Sequence, residues 1–390
     1  MTATADKARY FLEQSIPELK ELERKKIFTP EEITAIAKKR SDFEHKINAR
    51  GSAPTDYAQY AEFEINVDLL RRKRVKRFGI RATMHNGQRR IFFVFDRGVR
   101  KFPGDTKLWM QAIEYARSQK ALKKVTQMLT GVLRLHPTKP ELWIYAARFA
   151  LEENGDMTEA RGYMQRGLRF CKNSKQMWLQ NFRLEMSWVA KIFARRRILG
   201  IESVKRNEEQ IKVSGEDDDG MMLPKLTAED IVPAEEQEDK VDVTALENLE
   251  ATPIMSGAIP VAIFDAAMVQ FDQNAELSRN FFEEAIVFDQ LPILSKVLAH
   301  IDAALQQSRP DDWNTAACSI ALPTANLPSD DPEFPAALRL SLSRMNRSLD
   351  RTKQRADLAK WCFKYLEELL QQDLDPALQQ ILQSKLKSLA

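Results

Sequence analysis

The chain is poor in glycine, cysteine and histidine, with 13, 3 and 4 of them among 390 residues. Each shortage removes a class of function. No glycine-rich loop is present of the kind that cradles a nucleotide phosphate with backbone N–H groups. The three cysteines, Cys171, Cys318 and Cys362, are odd in number, widely spaced and set in apolar helical pattern. That argues against a disulfide framework or zinc site and points to a reducing compartment. His45, His85, His136 and His300 stand apart, none with a partner at catalytic or zinc spacing. The acidic run Glu216-Asp217-Asp218-Asp219 lacks the spacing and glycine of a calcium loop and reads as solvated linker. With no acid, base or nucleophile constellation, the sequence argues against an enzyme and requires no cofactor, metal or small-molecule substrate.

Long apolar runs are also missing. No stretch approaches the roughly 20 residues of a membrane span, and the opening MTATADKARYF has no apolar signal core. These features predict a soluble, intracellular protein with no membrane partner. Sustained apolar–polar alternation is absent too, which argues against a sheet. What remains is rich in Ala, Leu, Glu, Lys, Gln and Arg, and the chain reads as all-α. At this length one core would be unusual, so several units or a repeat array are expected.

Charge is unevenly distributed behind a net of +3. Residues 1–200 carry 41 Lys and Arg against 22 Asp and Glu, residues 201–250 carry 5 against 16, and residues 251–390 carry 13 against 18. The front half is a cation and the middle a short anion, so the two ends should meet different partners.

A phrase is written more than once. "KFPGDTKLWMQAIEYA" from Lys101 is echoed by "LHPTKPELWIYAARFA" from Leu135, and Trp109, Trp143 and Trp178 lie 34 and 35 residues apart. That period belongs to helix-turn-helix arrays. Small or apolar residues follow the first two tryptophans at +3, +4 and +7: Ala112, Ile113 and Ala116, then Ala146, Ala147 and Ala150. They mark one buried helix face. A second helix precedes each turn, carrying Phe92, Phe95, Val99 and Phe102, then Val125, Met128, Leu129 and Val132, then Met164, Leu168 and Cys171.

Turn chemistry supports these boundaries. Asp105 or Thr106 can cap the helix of Trp109, Ser174 that of Trp178, and Thr138 with Glu141 spells a capping box around Pro140. Asn154-Gly155-Asp156 is a turn signal, and "HNGQRR" from His85 reads as a turn opening a helix. Tyr57 occupies the tryptophan position of a fainter copy, Ser278 that of another, and Trp313 and Trp361 mark eroded units. Residues 207–252, charged and poor in aromatics, predict a disordered or weakly ordered insertion. The Pro- and Asp-rich stretch Leu322 to Pro335 should separate helices.

The tryptophans have two readings, an RNA-stacking ladder or the wedge between paired helices. Their identical helical position beside apolar neighbours favours repeat core for Trp109, Trp143 and Trp178. The segment "RRKRVKRFGIR" places six cations in seven positions: Arg71, Arg72, Lys73, Arg74, Lys76 and Arg77. It suits contact with phosphate or an acidic partner, or a nuclear import signal, and reads few bases because no aromatics interleave. Arg195, Arg196 and Arg197 form a second candidate.

"LWMQAIEYA", "LWIYAARFA" and "YAQYAEFE" resemble half-a-tetratricopeptide (HAT) repeats, while "MWLQNFRLE" fits less closely. The resemblance implies a helical-repeat solenoid acting as a scaffold in RNA-processing particles. The opening segment, Phe11 to Ile47, followed by "RRKRVKRFGI" and the first Trp unit, resembles the U3 small nucleolar RNA-associated protein 6 family across about residues 8–200. That implies a non-enzymatic subunit of the nucleolar small-subunit processome. Its partners would be other processome subunits, β-propeller proteins among them, with U3 small nucleolar RNA and pre-ribosomal RNA contacted directly or indirectly. The expected domains are an N-terminal helical region over 1–80, HAT repeats over 81–206, an acidic linker over 207–252 and degenerate helical repeats over 253–390. A HAT scaffold of pre-mRNA splicing or 3′-end processing, and a tetratricopeptide-like peptide adaptor, are the alternatives. The adaptor would want Asn and Lys at repeated groove positions, and no such register is seen.

Overall fold

The computed structural model describes residues 9–80, 87–198, 256–288, 291–328, 331–352, 354–371 and 375–389. The acidic stretch 207–252, and His85-Asn86 of the expected turn, lie outside the described residues. Among those described the secondary structure is helical, without a strand. The chain divides into two compact units, Met1–Ala146 and Ala147–Ala390, a division that falls inside the helix carrying Trp143.

The first unit contains α1 (Ile16–Arg24), α2 (Pro30–Asn48), α3 (Pro54–Phe78), α4 (Gly87–Lys101), α5 (Thr106–Ser118), α6 (Leu122–Leu135) and the start of α7 (Pro140–Glu152). Local chemistry starts these helices. Thr29 Oγ1 accepts from Glu32 N–H while the Glu32 carboxylate accepts from Thr29 N–H, a complete capping box with Pro30 in the first turn. Asp105 caps α5 by accepting from Lys107 and Leu108 N–H at 2.9 and 3.3 Å. At α7 the expectation fails by one residue. The helix opens at Pro140, so Lys139 and not Thr138 holds the cap position.

Scarce glycine shapes the turns. Lys26 and Lys120 adopt left-handed backbone, φ +52° and +54°, where a glycine would ordinarily sit. The chain around Lys26 returns Ile27 N–H to Leu22 O at 3.0 Å, and around Lys120 it returns Ala121 N–H to Ala116 O at 3.0 Å. Gly98 and Gly131, both inside helices, lie where two helices touch. A Cβ on Gly98 of α4 would come within 3.1 Å of Tyr57 on α3, and one on Gly131 of α6 within 3.1 Å of the Trp109 ring on α5. Gly87 opens α4 directly against Asp68 of α3, where a Cβ would lie 2.5 Å from Oδ1. Contacts of Tyr57 with Gly98 and of Asp68 with Gly87 make α3 and α4 an antiparallel pair.

The second unit runs through the rest of α7, α8 (Met157–Phe170), α9 (Lys175–Ile198), α10 (Ala258–Gln270), α11 (Ala275–Ile286), α12 (Leu294–Ser308), α13 (Trp313–Ala321), α14 (Phe334–Arg351), α15 (Arg355–Leu370) and α16 (Pro376–Leu389). Ser174 caps as expected, its Oγ accepting from Met177 N–H, and Asp156 of the expected turn accepts from Glu159 N–H to cap α8. One core joins Phe182 and Met186 of α9 to Phe264, Phe281, Leu294 and Ile301, with the ring pairs Phe182–Phe281 and Phe264–Phe281 edge to face. A second gathers Ile320, Leu338, Met345, Leu358, Cys362 and Leu366. The Tyr365 hydroxyl, packed by both, meets Thr324 Oγ1 at 2.6 Å and Ser341 Oγ at 3.3 Å.

Candidate nucleic-acid or partner interface

The tryptophans come first, because a stacking ladder would need them exposed. Trp109, Trp143 and Trp178 each stand fourth in a helix, and Tyr57 and Ser278 hold the same place in α3 and α11. Each indole N–H donates to the carbonyl six residues earlier: Pro103 at 3.2 Å, Pro137 at 2.9 Å and Lys172 at 3.0 Å. The ring therefore folds back over its own helix start and ties down the preceding turn. Trp109 and Trp143 are buried and Trp178 is half-buried, with Ala112, Ala116, Ala146, Ala147 and Ala150 fully buried on the same faces. Ser278 cannot repeat the bond; its hydroxyl turns to Asn274 O instead. Trp313 opens α13 and Trp361 is seventh in α15, so neither keeps the fourth place.

The basic run lies at the carboxyl end of α3 and is split by its surroundings. Arg71 grips the Asp68 carboxylate with Nε and Nη2 at 2.9 and 2.7 Å, and Arg72 Nε takes the other oxygen at 2.7 Å while Nη2 donates to Gln119 at 2.9 Å. Arg74 reaches the α1–α2 junction, donating to Ile27 O at 3.0 Å and bidentately to Glu32 at 2.6 and 2.7 Å, its guanidinium over the Phe28 ring. The Arg74 hydrogen bonds, seconded by Thr29 N–H, hold the Glu32 carboxyl at about 2, below its usual 4.5. Arg72 and Arg74 fasten α3 to its neighbours, while Arg71 pairs with Asp68 on α3 itself. Lys73, Lys76 and Arg77 face solvent. The second cluster divides likewise, with Arg195 and Arg197 exposed and Arg196 buried in α9.

Sequence reading missed an ionic network inside the same unit. Arg40, buried in α2, donates to both oxygens of buried Glu64 on α3 at 2.7 and 2.8 Å and reaches Glu18 of α1 at 3.4 Å. Arg90 of α4 meets Glu18 at 3.2 Å, and Arg97 of α4 clasps buried Glu44 of α2 at 2.9 and 3.0 Å with its guanidinium over Phe11. Burial opposes the charged forms, yet the opposite charges prevail: the Glu18 carboxyl is held below and the Arg40 guanidinium above their usual ranges. The only sequence trace was a charged residue at a core-facing helical position. Cys171, Cys318 and Cys362 are buried cysteines outside any disulfide, and burial pushes each thiol up, Cys362 to about 12. Among the described residues no His, Cys, Asp and Glu group is placed to hold a metal, and no helix is long and apolar enough to cross a membrane.

Comparison with known proteins matches this unit. Residues 12–95, spanning the capping box, most of the ionic network and the basic helix, fit the family model described as U3 small nucleolar RNA-associated protein 6. The chain is 34% identical over 238 residues to the U3 small nucleolar RNA-associated protein 6 of Schizosaccharomyces pombe, covering 58% of this chain and 49% of that protein. It is 32% identical over 185 residues to the mouse homolog, covering 46% of this chain and 31% of the relative. A Dictyostelium discoideum homolog is 29% identical over 212 residues, 54% of this chain and 35% of that protein. The matched stretch thus spans about half the length of the fission-yeast relative and about a third of the other two. The amino-terminal helices thus fit the model of the U3 small nucleolar RNA-associated protein 6 family, and the similarity to proteins of that name runs well beyond them.

Proposed function

We propose that this chain is a non-enzymatic scaffold subunit of the nucleolar small-subunit processome, supporting U3-dependent pre-ribosomal RNA processing and 18S maturation. The match of residues 12–95 carries this reading, because the relatives are named for association with U3 small nucleolar RNA. The paired helices are HAT units: a fourth-position tryptophan whose N–H closes the preceding turn recurs three times, and two partner helices present a glycine where the ring of the facing helix lands. Residues 81–206 form the array and 253–390 its degenerate continuation. The outward cations Lys73, Lys76, Arg77, Arg195 and Arg197 contact phosphate or acidic subunits, and β-propeller proteins are the neighbours expected in the particle. The protein works in the nucleolus.

Affinity purification of the tagged chain tests the assignment. U3 and pre-ribosomal RNA should co-purify; recovery of spliceosomal RNAs in their place would overturn it. In the purified particle, converting Lys73, Lys76 and Arg77 to Gln should reduce the slope of log affinity against log salt by about 2, at roughly 0.7 for each phosphate no longer neutralised. An unchanged slope would remove these residues from the interface.

A further inference from the structure

The solvent side of α3 changes character along its length. At 100° per residue, positions 55, 59, 62, 66, 69, 70, 73, 76 and 77 fall on one outward arc of about 120°. Its first half is polar and exposed: Thr55, Gln59, Glu62 and Asn66. Its second half joins Leu69, 48% exposed, and Leu70, 42% exposed, to the cations Lys73, Lys76 and Arg77, and Phe78 ends the helix 54% exposed. The core does not need this arc, since α3 buries its opposite side through Tyr57, Tyr60, Ala61, Glu64 and Asp68.

We propose that this outward arc docks an acidic amphipathic helix from a partner subunit, one whose apolar stripe covers Leu69 and Leu70 while flanking carboxylates meet Lys73, Lys76 and Arg77. The inference deepens the scaffold reading above and rests on it. Chemistry selects the occupant. RNA phosphates would neutralise the cations and leave both leucines wet, and bases stack on aromatic or guanidinium planes and not on aliphatic side chains. A helix with apolar residues at three- and four-residue spacing satisfies both components at once, with charge complementarity fixing its register.

The test uses the purified full chain and three labelled probes: a synthetic helical peptide of leucines at that spacing flanked by glutamates, its leucine-to-serine counterpart, and an oligouridylate. The leucine–glutamate peptide should bind the parent and lose about tenfold in affinity both to L69S/L70S and to K73Q/K76Q/R77Q, covering two half-exposed leucines being worth about that much. The serine peptide should bind weakly, and oligouridylate should be indifferent to the leucines. These leucines are surface residues, circular dichroism checks that the variants keep their helix, and Leu70→Gln alone provides a second variant. Failure of the leucine peptide to bind, or unchanged affinity in L69S/L70S, overturns the proposal. Oligouridylate binding that needs the leucines would assign the arc to RNA, and a chain dimer dissolved by L69S/L70S would assign it to self-association. Recovery of U3 RNA with the tagged chain judges the scaffold reading separately, because the peptide assay contains no RNA.

Discussion

A fourth-position tryptophan does two jobs that no other side chain combines: it fills the angle between paired helices and donates one hydrogen bond back to the turn before it. Trp143→Ala should therefore cost about 3–5 kcal/mol in urea unfolding. Trp143→Phe should keep most of the packing and lose about 1 kcal/mol, for the hydrogen bond the indole N–H no longer donates to Pro137 O. Its complement is the facing glycine. Replacing a mid-helix glycine with alanine ordinarily gains about 0.5–1 kcal/mol. At Gly131 the new Cβ would press on Trp109, so Gly131→Ala should gain nothing and Gly131→Val should cost about 1–3 kcal/mol. In a Trp109→Phe background, where the ring is shorter, Gly131→Ala should recover its usual gain; a Gly131→Ala gain equally large in the parent would disprove the contact. The spacing of the tryptophans was legible because it is local; the glycine seats were not, since nothing in the sequence says which glycine faces which ring.

Helix ends and junctions show a similar division. Asp105 and Ser174 cap where their residue type suggested, whereas the Lys26 and Lys120 turns escaped notice because no glycine announces them. Lys120→Gly relieves left-handed strain and should raise stability by about 1 kcal/mol, read as an increase in urea midpoint at constant slope. The α2–α3 fastening carries a pH signature. The Glu32 carboxyl is depressed in the folded state, so its pairing with Arg74 stabilises fully above its usual 4.5 and is lost as pH falls toward about 2. Glu32 keeps 38% of its side chain exposed, so screening limits the effect to about 1 kcal/mol or less. Parent and Glu32→Gln melting temperatures should differ most above pH 5 and converge as the pH falls from 4.5 toward 2. A difference that stays constant across that range would show the pair contributes no charge-dependent stability.

At the scale of the amino-terminal unit, four helices are held in register by buried charge. Arg40, Glu64, Glu18 and Arg90 come from four different helices, and Arg97 with Glu44 adds a second clasp between α2 and α4. Removing one partner strands another in a dry site, so Arg40→Ala should cost about 3–5 kcal/mol. The paired change Arg40→Met with Glu64→Leu should recover most of that loss, because no buried charge is left alone. Thermal unfolding of the two variants beside the parent decides it: a double variant as weak as Arg40→Ala would mean that the network contributes by shape and not by compensated charge.

By itself, the sequence determined that the chain is helical, where its helix pairs begin, and that its front half is cationic, since periodicity, caps and composition act over a few residues. It also carried the family resemblance in its unrepeated opening segment. Tertiary structure alone decided which of the six clustered cations fasten α3 and which face outward, because Arg74 finds Glu32 42 residues away and Arg72 finds Gln119 47 residues away. The same holds for the buried network, whose members lie up to 72 positions apart. Whether a charge is ligand, clasp or solvated surface depends on the partner that folding brings within about 3 Å, and that partner is not a neighbour in sequence.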